Sequence, residues 1–172
     1  MSASRPAVPE GYPPMALDAP FNPKVPGIDY GVLDDLLGYA VRRAQIIQYE
    51  HFIATLAAWN ITPPRFSALV IISRNPLLKL TELANVLGIA RSGAVALIDS
   101  LEAMDYVRRV PSPTDRRALG LELTERGRQD LPAIIAAVSD SDGEVARHLS
   151  ADEQRQLIEL LGRVSGARAI SR

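Results

Sequence analysis

Two short runs hold side chains suited to gripping a polyanion: Arg91-Ser92-Gly93 with Ala96, and Asp115-Arg116-Arg117. A guanidinium bonds a guanine edge or a phosphate, and a serine hydroxyl donates to either a base or a phosphate. Arginine also fits a narrow, electronegative minor groove, above all an A·T-rich one. A neighbouring carboxylate such as Asp115 can hold an arginine in one rotamer by a bidentate pair. Taken alone, each run also reads as a solvated surface stretch.

A third set could receive a small aromatic acid. Such a pocket needs an apolar wall and a cation or hydrogen-bond donor. Tyr39, Arg42, Arg43, His51 and Phe66 offer both. Neighbours on a helix point about 100° apart, so one of Arg42 and Arg43 faces a given pocket. The bland reading makes Phe66 core and His51 a satisfied histidine. The chain has 2 histidines and no cysteine, so no metal site and no disulfide is expected. No Gly-rich phosphate loop and no Gly-x-Ser-x-Gly elbow occurs. The acid pairs Asp34-Asp35 and Asp152-Glu153 fall at helix starts, where acids suit the dipole. Enzymatic chemistry and a cofactor are therefore not expected.

The elements around these residues follow from pattern. Seven of the 13 prolines lie in residues 1–26, so residues 1–28 form a proline-rich arm. That arm either straps onto a partner subunit or stays a free tail. Asp29 to Trp59 reads as one long helix, apolar on most sides and hence buried all round. Thr62 is a candidate cap ahead of Pro63, opening a helix that runs to about Arg74. A short helix follows over about Thr81 to Leu87, closed by Gly88, although Lys79 supplies no polar cap. Another helix runs from Arg91 to about Met104, and it too lacks a polar cap, at Ala90. Tyr106 to Val110 and Leu119 to Leu123 read as paired strands around a turn-rich basic loop. Thr124 caps a helix over Glu125 to His148, and a Ser150–Glu153 capping box opens the last one, to about Ala167.

The fold class expected is mainly α with a small β-hairpin wing: a winged helix-turn-helix plus a helical dimerisation region. Two helices joined by Gly88-Ile89-Ala90 suit a helix-turn-helix, whose second helix enters the major groove. A plain helical bundle is the weaker alternative, because a basic hairpin follows directly. Charge agrees. The net charge is −1, yet residues 62–120 hold eight bases against five acids, while both flanks are acidic. No run of about 18 apolar residues marks a membrane span. No secretory leader is seen, and the missing cysteines fit a cytoplasmic setting.

The chain resembles the MarR family (multiple antibiotic resistance regulators) over roughly residues 29–168. The matching residues are Ile61-Thr62 with Pro63-Pro64-Arg65-Phe66 and Leu69, Glu82-Leu83-Ala84 with Leu87-Gly88-Ile89, and Leu101-Glu102 with Tyr106-Val107 and Arg109. The wing follows as Pro113-Thr114-Asp115-Arg116-Arg117-Ala118, then Leu121, Leu123-Thr124 and Gly127, and last Leu149-Ser150 with Glu153 and Leu157. The resemblance implies a dimer joined through residues 29–61 and 124–172, with residues 62–123 binding double-stranded DNA at a near-palindromic operator, usually as a repressor. It implies that Asp115 positions Arg117 in the minor groove. It also implies release by a phenolic or aromatic effector, or its thioester, held between the dimer helices and the winged domain. Gly93, Val95 and Ala96 depart from the polar residues common there, so readout is expected to lean on phosphates, shape and the wing. A winged-helix interaction module without sequence-specific DNA binding is the alternative.

Overall fold

A computed structural model describes residues 21–111 and 119–166. Most of the proline-rich arm, and the loop tip with Asp115, Arg116 and Arg117, lie outside the described residues. In chain order the elements are α1 (Leu37–Thr55), α2 (Pro63–Arg74), β1 (Leu78–Lys79), α3 (Leu80–Leu87), α4 (Arg91–Ala103), β2 (Val107–Pro111), β3 (Leu119–Leu123), α5 (Glu125–Val145) and α6 (Ala151–Val164). This is a mainly helical chain with a small antiparallel sheet, as the pattern predicted.

The long first helix is shorter than its apolar run. Gly31 sits at φ +50°, outside the α region, and Leu36 is extended before α1 begins. A 3-10 turn, Gly31–Asp35, takes the place of the first helical turns. Side-chain bonds hold that turn over α1: Lys24 to Asp34 at 2.5 Å and Arg43 to Asp34 at 3.4 Å. The expectation of all-round burial fails within one chain, since α1 buries no residue fully. Leu36, Leu37 and Val41 stay exposed, as do Leu157, Ile158, Leu161 and Val164 of α6.

Thr62 does not cap α2 with its side chain. Pro63 and Pro64 have no N–H, so of the two donors a cap side chain serves, at the second and third helical positions, only that of Arg65 exists. Lys79 supplies no acceptor to α3 either, but Glu82 reaches back and accepts the Lys79 backbone N–H at 2.8 Å. Half of a capping box thus arises without a polar residue at the cap. Ala90 makes no side-chain bond at the start of α4. Thr124 and Ser150 do cap, accepting from Gly127 N–H at 3.1 Å and Glu153 N–H at 3.3 Å.

The sheet has three strands in the order β1-β3-β2, one more than the predicted hairpin. In β2–β3, Arg109 lies opposite Leu121 and Val110 opposite Gly120, while β1 pairs Leu78 with Leu121. Gly120 permits that third strand, because a Cβ there would stand 2.8 Å from Leu77 Cα. The core lies between α2, α3, α4, the sheet and the first half of α5. It is built from Leu69, Ile72, Leu83, Ile98, Leu101, Tyr106, Leu121 and Ile134. No single helix among the described residues is long and apolar enough to cross a membrane.

Tyr106 is fully buried, with its hydroxyl donating to Asp130 Oδ2 at 3.0 Å. Burial pushes its pKa up, and the Asp130 carboxylate adds to the shift. The folded state therefore holds this proton more tightly than the unfolded state. That contribution is complete below the ordinary tyrosine pKa of about 10 and is lost as pH rises through the folded value. Denaturant titrations from pH 7 to 11 should show Tyr106→Phe about 1 kcal/mol less stable at pH 7. The gap should narrow above pH 10; a gap constant with pH would refute the assignment.

Candidate nucleic-acid interface

α3 and α4 meet at Gly88, whose φ of +65° makes the reversal that a branched residue resists. The chain bends by 109° between the two helices, within the range of a helix-turn-helix. Ala94, Ile98 and Leu101 turn α4 onto the core. Its opposite side presents Ser92, Val95, Ala96 and Asp99, with Arg91 and Gly93 beside them, all exposed. The predicted residues Arg91, Ser92, Gly93 and Ala96 therefore share one solvent-facing end of α4.

Lys79, Thr81, Arg91 and Arg109 line a shallow cleft of about 330 Å³ with Leu80, Leu119 and Leu121. It joins the starts of α3 and α4 to the base of the β2–β3 hairpin. Lys79 and Arg91 make no ion pair among the described residues, and a cation of either kind suits a phosphate. Arg109 differs. Its guanidinium bonds Glu102 and, at 2.7 Å, Asp99, and its backbone N–H donates to Glu102 at 3.0 Å. One arginine on β2 thus ties the hairpin to α4 and neutralises two carboxylates beside the exposed helix face. Reading the sequence missed this role. The Glu102…Arg109 spacing was visible, but a seven-residue gap across a turn specifies no contact.

The end of the hairpin is fixed by hydrogen bonds around Thr124. Its hydroxyl donates to Asp105 O at 2.6 Å and accepts from Gly127 N–H, while its own N–H donates to Tyr106 O at 3.1 Å. Arg126 donates to Met104 O at 3.0 Å and lies over the Tyr106 ring, 4.8 Å from its centroid. The Leu123-Thr124 and Gly127 pattern is thus a clamp between the end of α4, the sheet and α5.

The family model described as MarR family matches residues 59–118. A protein named for transcriptional regulation of the hcr operon in Thauera aromatica is 34% identical over 146 residues, covering 84% of this chain and 88% of its own length. The chain belongs to the MarR family. Among solved structures, the transcriptional repressor CouR bound to a 23-mer DNA duplex superposes with a TM-score of 0.76 at 35% identity, over 80% of this chain and 98% of that one. CouR bound to p-coumaroyl-CoA gives a TM-score of 0.73 at 33% identity, over 83% and 99%. This MarR-family chain is a DNA-binding transcriptional regulator, not an enzyme.

The residues expected to hold a ligand fall into three groups. Arg43 lies over the Tyr39 ring, 4.7 Å from its centroid, and the Tyr30 ring stands 6.2 Å from that of Tyr39. The hydrogen bond from Lys24 holds the Asp34 carboxyl below its usual range, and the nearby Arg43 charge adds to it. Phe66 packs edge-on against Phe52, with centroids 5.7 Å apart, so it joins α2 to α1 at the margin of the core. His51 and Arg42 are exposed. Arg43 and His51 stand eight positions apart, about 12 Å along the helix.

Proposed function

We propose that this protein is a homodimeric repressor, released from a near-palindromic operator by an aromatic acid or its thioester. The observation that supports this most is the likeness to CouR, a repressor solved both with a DNA duplex and with p-coumaroyl-CoA. The exposed apolar residues of α1 and α6 support the dimer, because contiguous apolar surface of this kind marks an interface. In this reading residues 29–61 and 124–172 join the subunits, and residues 62–123 carry the contacts to DNA. Arg91 and Ser92 meet base edges or phosphates, and Arg117, oriented by Asp115, enters the minor groove. Tyr39 and Arg43 supply a ring and a cation to the effector, with Arg42, His51 and Phe66 as the further candidates. Bound effector favours a dimer whose two α4 helices no longer match half-sites one helical turn apart.

The deciding experiment is fluorescence anisotropy on the upstream duplex and a scrambled one, across salt, with p-coumaroyl-CoA and a panel of phenolic acids. Binding that depends on sequence and is abolished by one compound is expected. Arg117→Ala should weaken the upstream duplex about tenfold or more while light scattering still reports a dimer. Unchanged affinity would remove Arg117 from the interface. The apolar character of Gly93, Val95 and Ala96 favours one second reading, a winged-helix interaction module. That reading predicts no steep salt dependence on any duplex.

A further inference from the structure

We infer that α4 reads its operator chiefly through thymine methyl groups, with Val95 and Ala96 as the specificity-determining contacts and Gly93 as clearance for the DNA backbone. The inference rests on the DNA-binding reading above and says what kind of sequence that site prefers. Directional readout needs free hydrogen-bonding groups on the exposed side of α4, and few exist. The Asp99 carboxylate could accept from a cytosine amino group, but Arg109 holds its Oδ1 at 2.7 Å and draws it toward the hairpin. Arg91 opens the helix and lines the cleft with Lys79, where a phosphate is the matching partner. Ser92 offers one hydroxyl that both donates and accepts, so it discriminates poorly between bases.

What remains is apolar. Val95 keeps 36% of its surface exposed, although it is a branched aliphatic on a helix whose other large apolar residues turn inward. Its β-branch is stiff in a helix, so its methyl groups are held in place before DNA arrives. Ala96 is exposed beside it. The one apolar feature on the floor of the major groove is the C5-methyl of thymine. Nothing among the described residues gives an internal reason for Gly93. Among them, a Cβ there would meet only the Ile89 Cδ1 atom, at 3.9 Å, an ordinary contact. A glycine inside a helix is destabilising relative to alanine. A residue that costs stability without serving the packing is explained by what approaches from outside.

The test begins by enriching duplexes from a randomised library with the full-length protein. Each thymine of the enriched site is then replaced by deoxyuridine, which removes only the methyl group. Affinity is expected to fall about fourfold for each methyl facing α4. Val95→Ala should make the protein indifferent to at least one of those replacements, while its circular dichroism and melting midpoint stay close to those of the parent. Gly93→Ala should melt higher and bind the same duplex more weakly; a variant that is more stable and equally tight would overturn the clearance role. An enriched site whose uracil versions all bind as tightly as the parent overturns the methyl readout and leaves the DNA-binding reading standing. No enrichment at all overturns both.

Discussion

Replacing Gly127 with alanine is expected to destabilise the protein by about 3 kcal/mol, at the upper end of overpacking penalties. For a chain of 172 residues that lowers the melting midpoint by about 6–12 °C. The new Cβ would collide with the carbonyl oxygen of Tyr106 and stand 3.2 Å from its carbonyl carbon and 3.4 Å from Leu123 Cβ. None of these is the far end of a flexible side chain. Tyr106 O is already held by Thr124 N–H, and Gly127 N–H is held by the Thr124 hydroxyl. Relief requires α5 to lift off the sheet, which breaks the Thr124 cap. Alanine gains about 1 kcal/mol over glycine in helix propensity, and the collision has to exceed that gain. Gly143→Ala is the control on the same helix, because within one chain its Cβ would meet nothing within 4 Å among the described residues. It should stabilise by about 0.5–1 kcal/mol. Thermal and urea unfolding of both variants decide the matter, and a Gly127→Ala protein as stable as the parent would sink the clamp.

The second large effect concerns binding. Arg109→Ala is expected to weaken operator affinity by about ten- to a hundredfold, or about 1.4–2.8 kcal/mol. The arginine does two things that alanine cannot. It fixes the hairpin to α4 through Glu102 and Asp99, and it neutralises both carboxylates beside the surface offered to DNA. Without it two negative charges face phosphate. Its own worth to the fold is smaller, since the pair is only half-buried and solvent screens it. The electrostatic share can be separated from the positioning share. Asp99→Asn added to Arg109→Ala should recover part of the affinity if repulsion dominates, and the deficit should shrink as salt rises. A deficit independent of both salt and Asp99 would assign the whole effect to the lost hairpin anchor. An Arg109→Ala protein that binds as tightly as the parent would refute both roles.

How far the sequence could be read depended on the range of each interaction. Caps and helix stops act over about four residues, so the Gly88 reversal, the Thr124 cap and the Ser150–Glu153 box were all legible. The same logic failed at Thr62, which makes no side-chain cap, whereas the lack of a polar cap at Lys79 was legible and the reverse bond from Glu82 was not. β1 escaped notice because two residues carry no periodicity; it exists because Gly120 lets Leu77 approach β3. The apolar run over Asp29 to Trp59 promised one helix, and Gly31 with the Lys24–Asp34–Arg43 bonds broke it into a turn and α1.

The sequence by itself determined the order of the helices, the helix-turn-helix, the hairpin that follows it and the family. All of these rest on local periodicity, on turn residues and on motifs a few positions long. Only the tertiary structure decided that Arg109 belongs with Asp99 and Glu102, that Gly127 sits against the Tyr106 carbonyl, and that Phe66 meets Phe52 while Arg43 sits with Tyr39. The reason is physical. Which charge meets which, and which backbone leaves no room for a Cβ, depends on how the sheet and helices close on a common core. That closure is driven by apolar burial, which is non-directional, so it leaves no spacing in the chain to read.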